Sequence, residues 1–326
     1  MNRQLSLLKV KNLSVQFRLG DEYATALRDV SFDVHAGETL GLAGESGCGK
    51  STAALAIMNL LPENGQIAGG DVWFQGKNLT QLPLKELRKY WWKDLSIVFQ
   101  GALNSLNPVK TVGAQIAEAM IVRNGMDKMQ AWDRVKDLFR QIGIRPERIS
   151  EYPHEFSGGM RQRVMIAMAI CLNPKLVIAD ECTTALDVMI QTQIMNLLKE
   201  LKSSLELSML FINHDLALIA EICDRVAIMY AGRIVEIGPV RSVFFEPIHP
   251  YVKQLLNALP RMEDSISRLH AIPGTPPRLQ EIPEGCPFLP RCHQGDRRCG
   301  LEAPLMAEVY PDHWANCHKI NPTGRK

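Results

Sequence analysis

A glycine-rich stretch at residues 44–52, GESGCGKST, has the residue types and spacing needed to hold a polyphosphate. It fits the pattern G-x-x-x-x-G-K-[ST] between a short apolar run at 40–43 and a helical pattern that opens at residue 52. Glycines let successive backbone N–H groups face phosphate oxygens, and the helix N-terminus adds partial positive charge. A glycine-rich turn with a chance lysine is the alternative. The predicted phosphate-binding residues of this P-loop are Gly44, Ser46, Gly47, Gly49, Lys50, Ser51 and Thr52.

Within the P-loop, two side chains have distinct expected roles. We expect Lys50 to reach the β- and γ-phosphates and the Ser51 hydroxyl to bind Mg²⁺. Two adjacent acids, Asp180 and Glu181, follow the apolar run at residues 176–179. A buried parallel strand would deliver both carboxylates to the sheet edge beside the P-loop. Asp180 would then bind Mg²⁺, directly or through water, and Glu181 would orient or deprotonate the attacking water. Strands that end in acids are also common without any catalytic role.

Three further polar groups stand at predicted element ends. Gln100 follows the apolar strand pattern at 94–99, and His214 follows the one at 209–212. Either side chain would face a bound phosphate at the sheet edge or would simply be a solvated loop residue. Ser157, Gly158 and Gly159 precede an apolar helix at 164–172. This stretch predicts a second helix N-terminus with exposed backbone, or by itself only a helix cap.

The other patterns predict an α/β fold. Strands are expected at 8–17, 26–34 and 69–74, and helices at 83–92, 111–122 and 128–142. The last two helices interrupt the alternation of strand and helix and so resemble a separate subdomain. An aromatic ring, Phe17 or its competitor Tyr23, is suitably placed to stack on adenine, although core packing would explain either ring equally well.

Composition limits the possible functions. The 326 residues are 46% hydrophobic and 22% charged, which is ordinary for a globular protein, and a formal charge of +2 does not favour nucleic acid as a partner. The N-terminus lacks a signal-peptide pattern, and the longest apolar run, 164–172, is far too short to cross a bilayer. We therefore expect a cytoplasmic chain whose eight cysteines are reduced.

Six motifs in this order, at residues 44–52, 100, 157–162, 179–181, 185–187 and 214, resemble those of the ATP-binding cassette (ABC) transporter ATPases over about residues 5–260. The resemblance implies a P-loop NTPase core with an antiparallel β subdomain and a helical subdomain at about 101–172. It implies that Gln100 joins Ser51 and Asp180 at Mg²⁺, that Glu181, His214 and Gln100 act in catalysis, and that Asp187 borders the nucleotide.

The resemblance also implies how such domains work in pairs. Two of them associate head to tail, so that ATP on Lys50 of one is closed over by the helix N-terminus at Ser157–Gly159 of the other. Four residues depart from the family pattern, namely Met160, Cys182 and the pair Gly101-Ala102. Because Cys182 replaces a proline that would fix φ, we expect Glu181 to be held less rigidly.

The C-terminal part has a different composition, with frequent prolines after residue 238. The stretch VFFEPIHPY at 243–251 resembles the tail of the branch that imports oligopeptides, dipeptides and nickel. We expect a cassette at 1–260 and a small irregular extension at 261–326. Spacings of five, six and seventeen residues separate Cys286, Cys292, Cys299 and Cys317. Four thiolates suit a [4Fe–4S] cluster, which the resemblance also implies; zinc and unligated structural cysteines are the alternatives.

The expected function is therefore that of an ATPase subunit of a dipeptide or oligopeptide importer. Its expected partners are a second, homologous but distinct ATP-binding subunit, two transmembrane permease subunits and an extracytoplasmic substrate-binding protein, which would place it at the cytoplasmic face of the membrane. Nickel, metal chelates or oligosaccharides are alternative cargoes. A soluble ABC ATPase of translation or DNA repair would need tandem cassettes or a coiled-coil insertion with basic surfaces, whereas this sequence has one cassette and a formal charge of +2. A P-loop GTPase would need an N-K-x-D motif, which the sequence lacks.

Overall fold

The computed structural model describes residues 6–99, 101, 105–184, 186–258 and 272–320. Its strands are β1 (Ser6–Leu19), β2 (Glu22–His35), β3 (Thr39–Gly44), β4 (Gly65–Phe74), β5 (Lys77–Asn78), β6 (Leu95–Val98), β7 (Leu176–Asp180), β8 (Ser208–Ile212), β9 (Arg225–Tyr230), β10 (Arg233–Pro239), β11 (Met306–Tyr310) and β12 (His313–Asn316). Its helices are α1 (Lys50–Ile57), α2 (Leu84–Leu87), α3 (Val112–Asn124), α4 (Lys128–Gln141), α5 (Gly158–Ile170), α6 (Val188–Leu205), α7 (Leu216–Ile222), α8 (Val240–Phe245), α9 (Pro250–Asn257) and α10 (Arg297–Leu301).

The chain forms two compact units, each built from separate stretches of sequence. The first unit contains the described residues of Met1–Leu7, Val34–Thr39 and Gln75–Ile212. The second unit contains those of Leu8–Asp33, Leu40–Phe74 and Asn213–Lys326. The domain boundary expected at residues 260–261 lies outside the described residues, so the proposed division at that point stays a prediction.

The first unit is built on three parallel strands, β6, β7 and β8. Val98 pairs with Ala179, and Asp180 pairs with Ile212, so the carboxyl ends of the strands lie side by side. Every residue of β7 and β8 is buried, as expected for parallel strands covered on both faces. Helices α3 to α6 bury apolar side chains such as Ile116, Leu138 and Ile194 in the same unit.

The second unit contains two sets of strands. In one, β2, β1 and β4 lie side by side, with β1 and β4 antiparallel. In the other, β3 pairs in parallel with β9, β9 pairs antiparallel with β10, and the hairpin β11–β12 adds to the free edge of β10. The alternating burial of β1 and β2 fits a sheet with one covered face.

Most predicted elements are confirmed, but the helix expected at 83–92 is much shorter. It begins after Pro83 and ends at Leu87. Trp92 adopts a left-handed backbone with φ 66°, and its indole N–H donates to the Met168 carbonyl at 3.1 Å. This long-range contact with α5 overrides the local helix propensity, so the helix predicted at 83–92 was wrong in length.

The C-terminal extension is not simply irregular, because it contains the hairpin β11–β12. This hairpin was not predicted. Glu236 of β10, which is fully buried, holds this region together. Its carboxylate accepts hydrogen bonds from the backbone N–H groups of Ile248 and His249, at 3.0 and 2.7 Å, and from Nε2 of His313 at 2.8 Å. A buried carboxylate is tolerable only when it is satisfied in this way.

In the part of the chain that the structure describes, no helix combines the length and the apolar character that a bilayer crossing requires.

Replacing Glu236 with alanine should lower the free energy of unfolding by about 3 kcal/mol, because two buried donors and one half-buried donor lose their acceptor. Urea unfolding followed by tryptophan fluorescence would measure this, with Trp314 of β12 close to the change. Alanine at Glu302, whose side chain is 65% exposed, is the control and should cost less than about 0.5 kcal/mol. Equal effects of the two substitutions would contradict this account of β10.

Candidate functional site: a P-loop and its supporting residues

The P-loop connects β3 to α1 through three glycines with left-handed backbone. Their φ angles are 148° at Gly44, 80° at Gly47 and 108° at Gly49. A Cβ on Gly44 would lie 2.3 Å from the Met229 carbonyl oxygen, and one on Gly49 would lie 2.6 Å from Leu27 Cδ2. Both glycines have a backbone conformation that other residues rarely adopt, and at Gly44 a side chain would also clash with the Met229 backbone.

Lys50 begins α1 and is buried, with 5% of its surface exposed. Its Nζ donates to the carbonyl oxygens of Gly44 and Glu45 at 2.8 and 3.2 Å. The ammonium is thus held within the loop that precedes its own helix. Ser51 and Thr52 are half-buried in the first turn of α1, and Ser46 is exposed on the loop. This arrangement places a cation, a hydroxyl and a helix N-terminus around one loop, as phosphate binding requires.

The second residue of the P-loop, Glu45, has partners that sequence reasoning missed. Both of its carboxylate oxygens lie 3.1 Å from Nη1 of Arg291, and its backbone N–H donates to the Tyr251 hydroxyl at 3.3 Å. The Arg291 guanidinium also donates to the Tyr230 hydroxyl and to the Pro273 carbonyl, at 3.3 and 2.9 Å. The only local signal was the His-Pro-Tyr sequence that ends in Tyr251.

The His-Pro-Tyr stretch has a definite structural role. His249 caps α9 by accepting the backbone N–H of Tyr251 on Nδ1, and Pro250 occupies the first helical position. Burial lowers the pKa of His249 to about 3, so the ring stays neutral and keeps this acceptor at neutral pH. The Tyr251 ring packs against Tyr230 and Phe288, with centroids 4.7 and 5.4 Å away. These contacts fix the hydroxyl that meets the P-loop.

Two other predicted site residues also belong to the second unit. His214 is exposed and follows buried Asn213, whose backbone N–H donates to the Leu42 carbonyl at 3.3 Å. Phe17 is half-buried on β1, and its ring lies over Gly65 of β4, while Tyr23 is 54% exposed. Adenine stacking by Phe17 stays a prediction.

The adjacent acids lie in the first unit, at the carboxyl end of β7. Asp180 is buried, and Glu181 is half-buried with a left-handed φ of 45°. The Glu181 backbone is held on both sides, because its N–H donates to the Ile212 carbonyl at 2.9 Å and its carbonyl accepts the Thr184 N–H at 3.1 Å. Left-handed non-glycine residues are strained and are concentrated at functional sites.

Cys182, which follows Glu181, is buried. Burial raises the pKa of its thiol to about 12, so the side chain stays protonated at neutral pH. Cys182 is therefore an apolar neighbour of Glu181 and adds no charge beside it.

The stretch at 157–159 begins α5, also in the first unit. The exposed Ser157 caps this helix by accepting the Met160 N–H at 3.4 Å, and a Cβ on Gly159 would lie 2.5 Å from Ile190 Cγ2. Gly158 occupies the first helical position. Asp187 caps α6 by accepting the Ile190 N–H at 2.9 Å. Both helix N-termini were predicted; their role toward a nucleotide stays a prediction. Gln100, Ala102 and Ala185 lie outside the described residues.

The four C-terminal cysteines line one small cavity of about 10 Å³, together with His249, Phe288 and Lys319. Burial first, and then the neighbouring thiols, raise the pKa of Cys286 to about 11. The donor chemistry suits a metal, but the described residues contain no group of three or more His, Cys, Asp or Glu side chains arranged to hold a metal ion. The cavity has room for about one water molecule. The [4Fe–4S] prediction is therefore not confirmed.

Comparison with known proteins agrees with this architecture. The family described as ABC transporter matches residues 27–184, and the family described as oligopeptide/dipeptide transporter, C-terminal region, matches residues 235–299. The chain resembles the dimeric, post-hydrolysis structure of the ATP-binding cassette MJ0796 bound to ADP and Pi, with TM-score 0.64 and 28% identity, over 72% of this chain and 99% of that one. The fold and the P-loop therefore define an ABC transporter ATP-binding subunit.

The relatives narrow the family further. The chain is 47% identical to the oligopeptide transport ATP-binding protein OppD of Escherichia coli strain K12, over 96% of this chain and 93% of that protein. It is 48% identical to OppD of Salmonella typhimurium strain LT2, over 92% and 90%. The chain belongs to the family of oligopeptide transport ATP-binding proteins.

Alanine at Gly44 should destabilise the protein by about 3 kcal/mol or more, because it adds a clash with the Met229 backbone to an unfavourable φ. Alanine at Gly47, which meets nothing within 4 Å, should cost only about 1 kcal/mol of backbone strain. Thermal unfolding of the two variants would show the difference. If the two substitutions were equally costly, steric contact at Gly44 would not be the reason for glycine there.

Proposed function

We propose that this chain is the ATP-hydrolysing subunit of an importer whose cargo is dipeptides or oligopeptides. The observation that carries this proposal is the P-loop, in which Lys50 and the first turn of α1 form a phosphate cradle. The two OppD relatives, whose names include oligopeptide transport, support the cargo. Cargo does not contact an ATP-binding subunit, so nickel, metal chelates and oligosaccharides remain the alternative cargoes.

The residues have distinct roles in the proposed reaction. Lys50 and the P-loop N–H groups bind the β- and γ-phosphates. Glu181 orients and deprotonates the attacking water, and His214 and Gln100 contact the γ-phosphate. Ser51, Gln100 and Asp180 would hold Mg²⁺, which offsets phosphate charge when bound. In a head-to-tail pair, Ser157–Gly159 and Asp187 of one subunit complete the nucleotide site of the other.

The proposed assembly has five subunits. We place this chain at the cytoplasmic face of the membrane, beside a second, homologous ATP-binding subunit, two transmembrane permease subunits and an extracytoplasmic substrate-binding protein. Closure of the ATP-binding pair would move the permease subunits. Co-purification with the permease and binding-protein subunits, followed by uptake assays with labelled peptides and with nickel in vesicles, would test both assembly and cargo.

Two substitutions separate nucleotide binding from hydrolysis. Lys50→Ala should abolish binding of a fluorescent ATP analogue, because the buried cation of the cradle is lost. Glu181→Gln should retain binding but lower Mg²⁺-dependent ATP hydrolysis by at least about 100-fold, because the amide cannot accept a proton. Hydrolysis should be measured with the partner subunit present.

Glu200→Gln is the matched control, because it makes the same change at an exposed residue of α6, and it should behave as wild type. If Glu181→Gln hydrolysed ATP at the control rate, Glu181 would not be the proposed base. If Lys50→Ala retained tight binding, the P-loop would not be the proposed site.

For the four C-terminal cysteines we propose a structural [4Fe–4S] cluster, with zinc as the alternative. Their common cavity and their four thiols support a metal. Anaerobically purified protein should be brown and contain about four irons and four sulfides per chain, and Cys292→Ser should lower both contents. Cys171→Ser, at a buried cysteine on a different part of the chain, should lower neither. A colourless protein with one zinc per chain would identify the alternative, and a metal-free protein would leave four structural cysteines.

A further inference from the structure

The C-terminal segment that contains Arg291 supplies a charge to the P-loop, although the two are 246 residues apart in sequence. Nη1 of Arg291 lies 3.1 Å from both carboxylate oxygens of Glu45, the residue next to Gly44. The side chains are 6% and 24% exposed, so the ion pair is largely shielded from water. Shielded pairs interact much more strongly than surface pairs, whose contribution is small.

Arg291 is held in place by contacts other than the ion pair. Its Nε donates to the Pro273 carbonyl at 2.9 Å, and its guanidinium lies 5.7 Å from the centroid of the Tyr230 ring. Tyr230 in turn packs edge-on against Phe288, at 5.3 Å. The guanidinium therefore does not depend on Glu45 for its position.

Three contacts hold Glu45 in place. The carboxylate meets Arg291, the backbone N–H donates to the Tyr251 hydroxyl, and the backbone carbonyl accepts Lys50 Nζ at 3.2 Å. The loop that must surround a triphosphate thus has a carboxylate at its second residue. An uncompensated carboxylate there would repel the negatively charged nucleotide.

We propose that Arg291 is a positioning residue of the ATP site, which neutralises Glu45 and fixes the start of the P-loop for the triphosphate. This inference rests on the proposal that the P-loop binds ATP. Arg291 acts through Glu45 and need not contact the nucleotide. The C-terminal segment thereby contributes to nucleotide affinity, in addition to its own folding.

Two single substitutions, each removing one charge of the pair, separate this role from simple docking of the C-terminal segment. Arg291→Gln leaves the Glu45 carboxylate without its partner and should weaken binding of a fluorescent ATP analogue by about 10-fold, with a raised KM and a smaller effect on kcat. Glu45→Gln breaks the same pair but removes the negative charge, so binding should stay within about 2-fold of wild type. The double variant, Glu45→Gln with Arg291→Gln, should recover most of the lost affinity.

The titrations use the purified full chain, and thermal unfolding confirms that each variant is folded. Arg298→Gln is the matched control. It also removes one arginine charge from an ion pair in the same segment, but its pair with Glu302 is exposed. Arg291→Lys should give an intermediate affinity, since an ammonium keeps the charge but loses the planar guanidinium.

Three outcomes would overturn the inference. In the first, Arg291→Gln binds nucleotide as tightly as Arg298→Gln. In the second, Glu45→Gln weakens binding as much as Arg291→Gln, which would mean that the pair only docks the segment. In the third, Glu45→Gln fails to restore binding in the double variant.

The variant Lys50→Ala distinguishes failure of this inference from failure of the proposed function. If Lys50→Ala abolishes binding while Arg291→Gln has no effect, only the role of Arg291 fails. If binding is unchanged in Lys50→Ala, the P-loop is not the ATP site.

Discussion

The left-handed backbone of the P-loop is the constraint on which the rest of the site depends. Three glycines turn the chain sharply from β3 into α1, and two of them do so against packed atoms of Met229 and Leu27. Because those atoms come from β9 and β2, the loop keeps its shape only while the surrounding strands are in place. The shape of the loop proposed to bind phosphate therefore depends on packing in the second unit as well as on the motif itself.

Buried charges tie the C-terminal segment to the cassette strands of the same unit. Glu236 binds His313 and the backbone before α9, and Arg291 binds Glu45. A buried carboxylate or guanidinium without a partner costs several kcal/mol, so these pairs oppose any detachment of the segment. They also explain why a region rich in proline has a defined structure, since its contacts are long-range ones and do not come from helix or strand propensity.

The candidate site was predictable where the signal was local. The P-loop, the two acids at the carboxyl end of β7 and the serine cap of α5 each occupy a few consecutive residues, and local backbone chemistry decides their form. The helix expected at 83–92 was wrong for the opposite reason, because the Trp92 indole bonds to a residue 76 positions away. No spacing rule joins Arg291 to Glu45 either, so the support of the P-loop could not be found in advance.

The amino-acid sequence by itself determined the class of protein and most of the strands and helices up to β8, because glycine conformations, helix caps and apolar periods act over short distances. It also predicted which residues bind phosphate. Only the tertiary structure decided the short form of α2, the added hairpin β11–β12, and the partners of Glu45 and Glu236. Those features arise from burial and charge pairing between residues far apart in the chain, and desolvation energies exist only once the chain has folded.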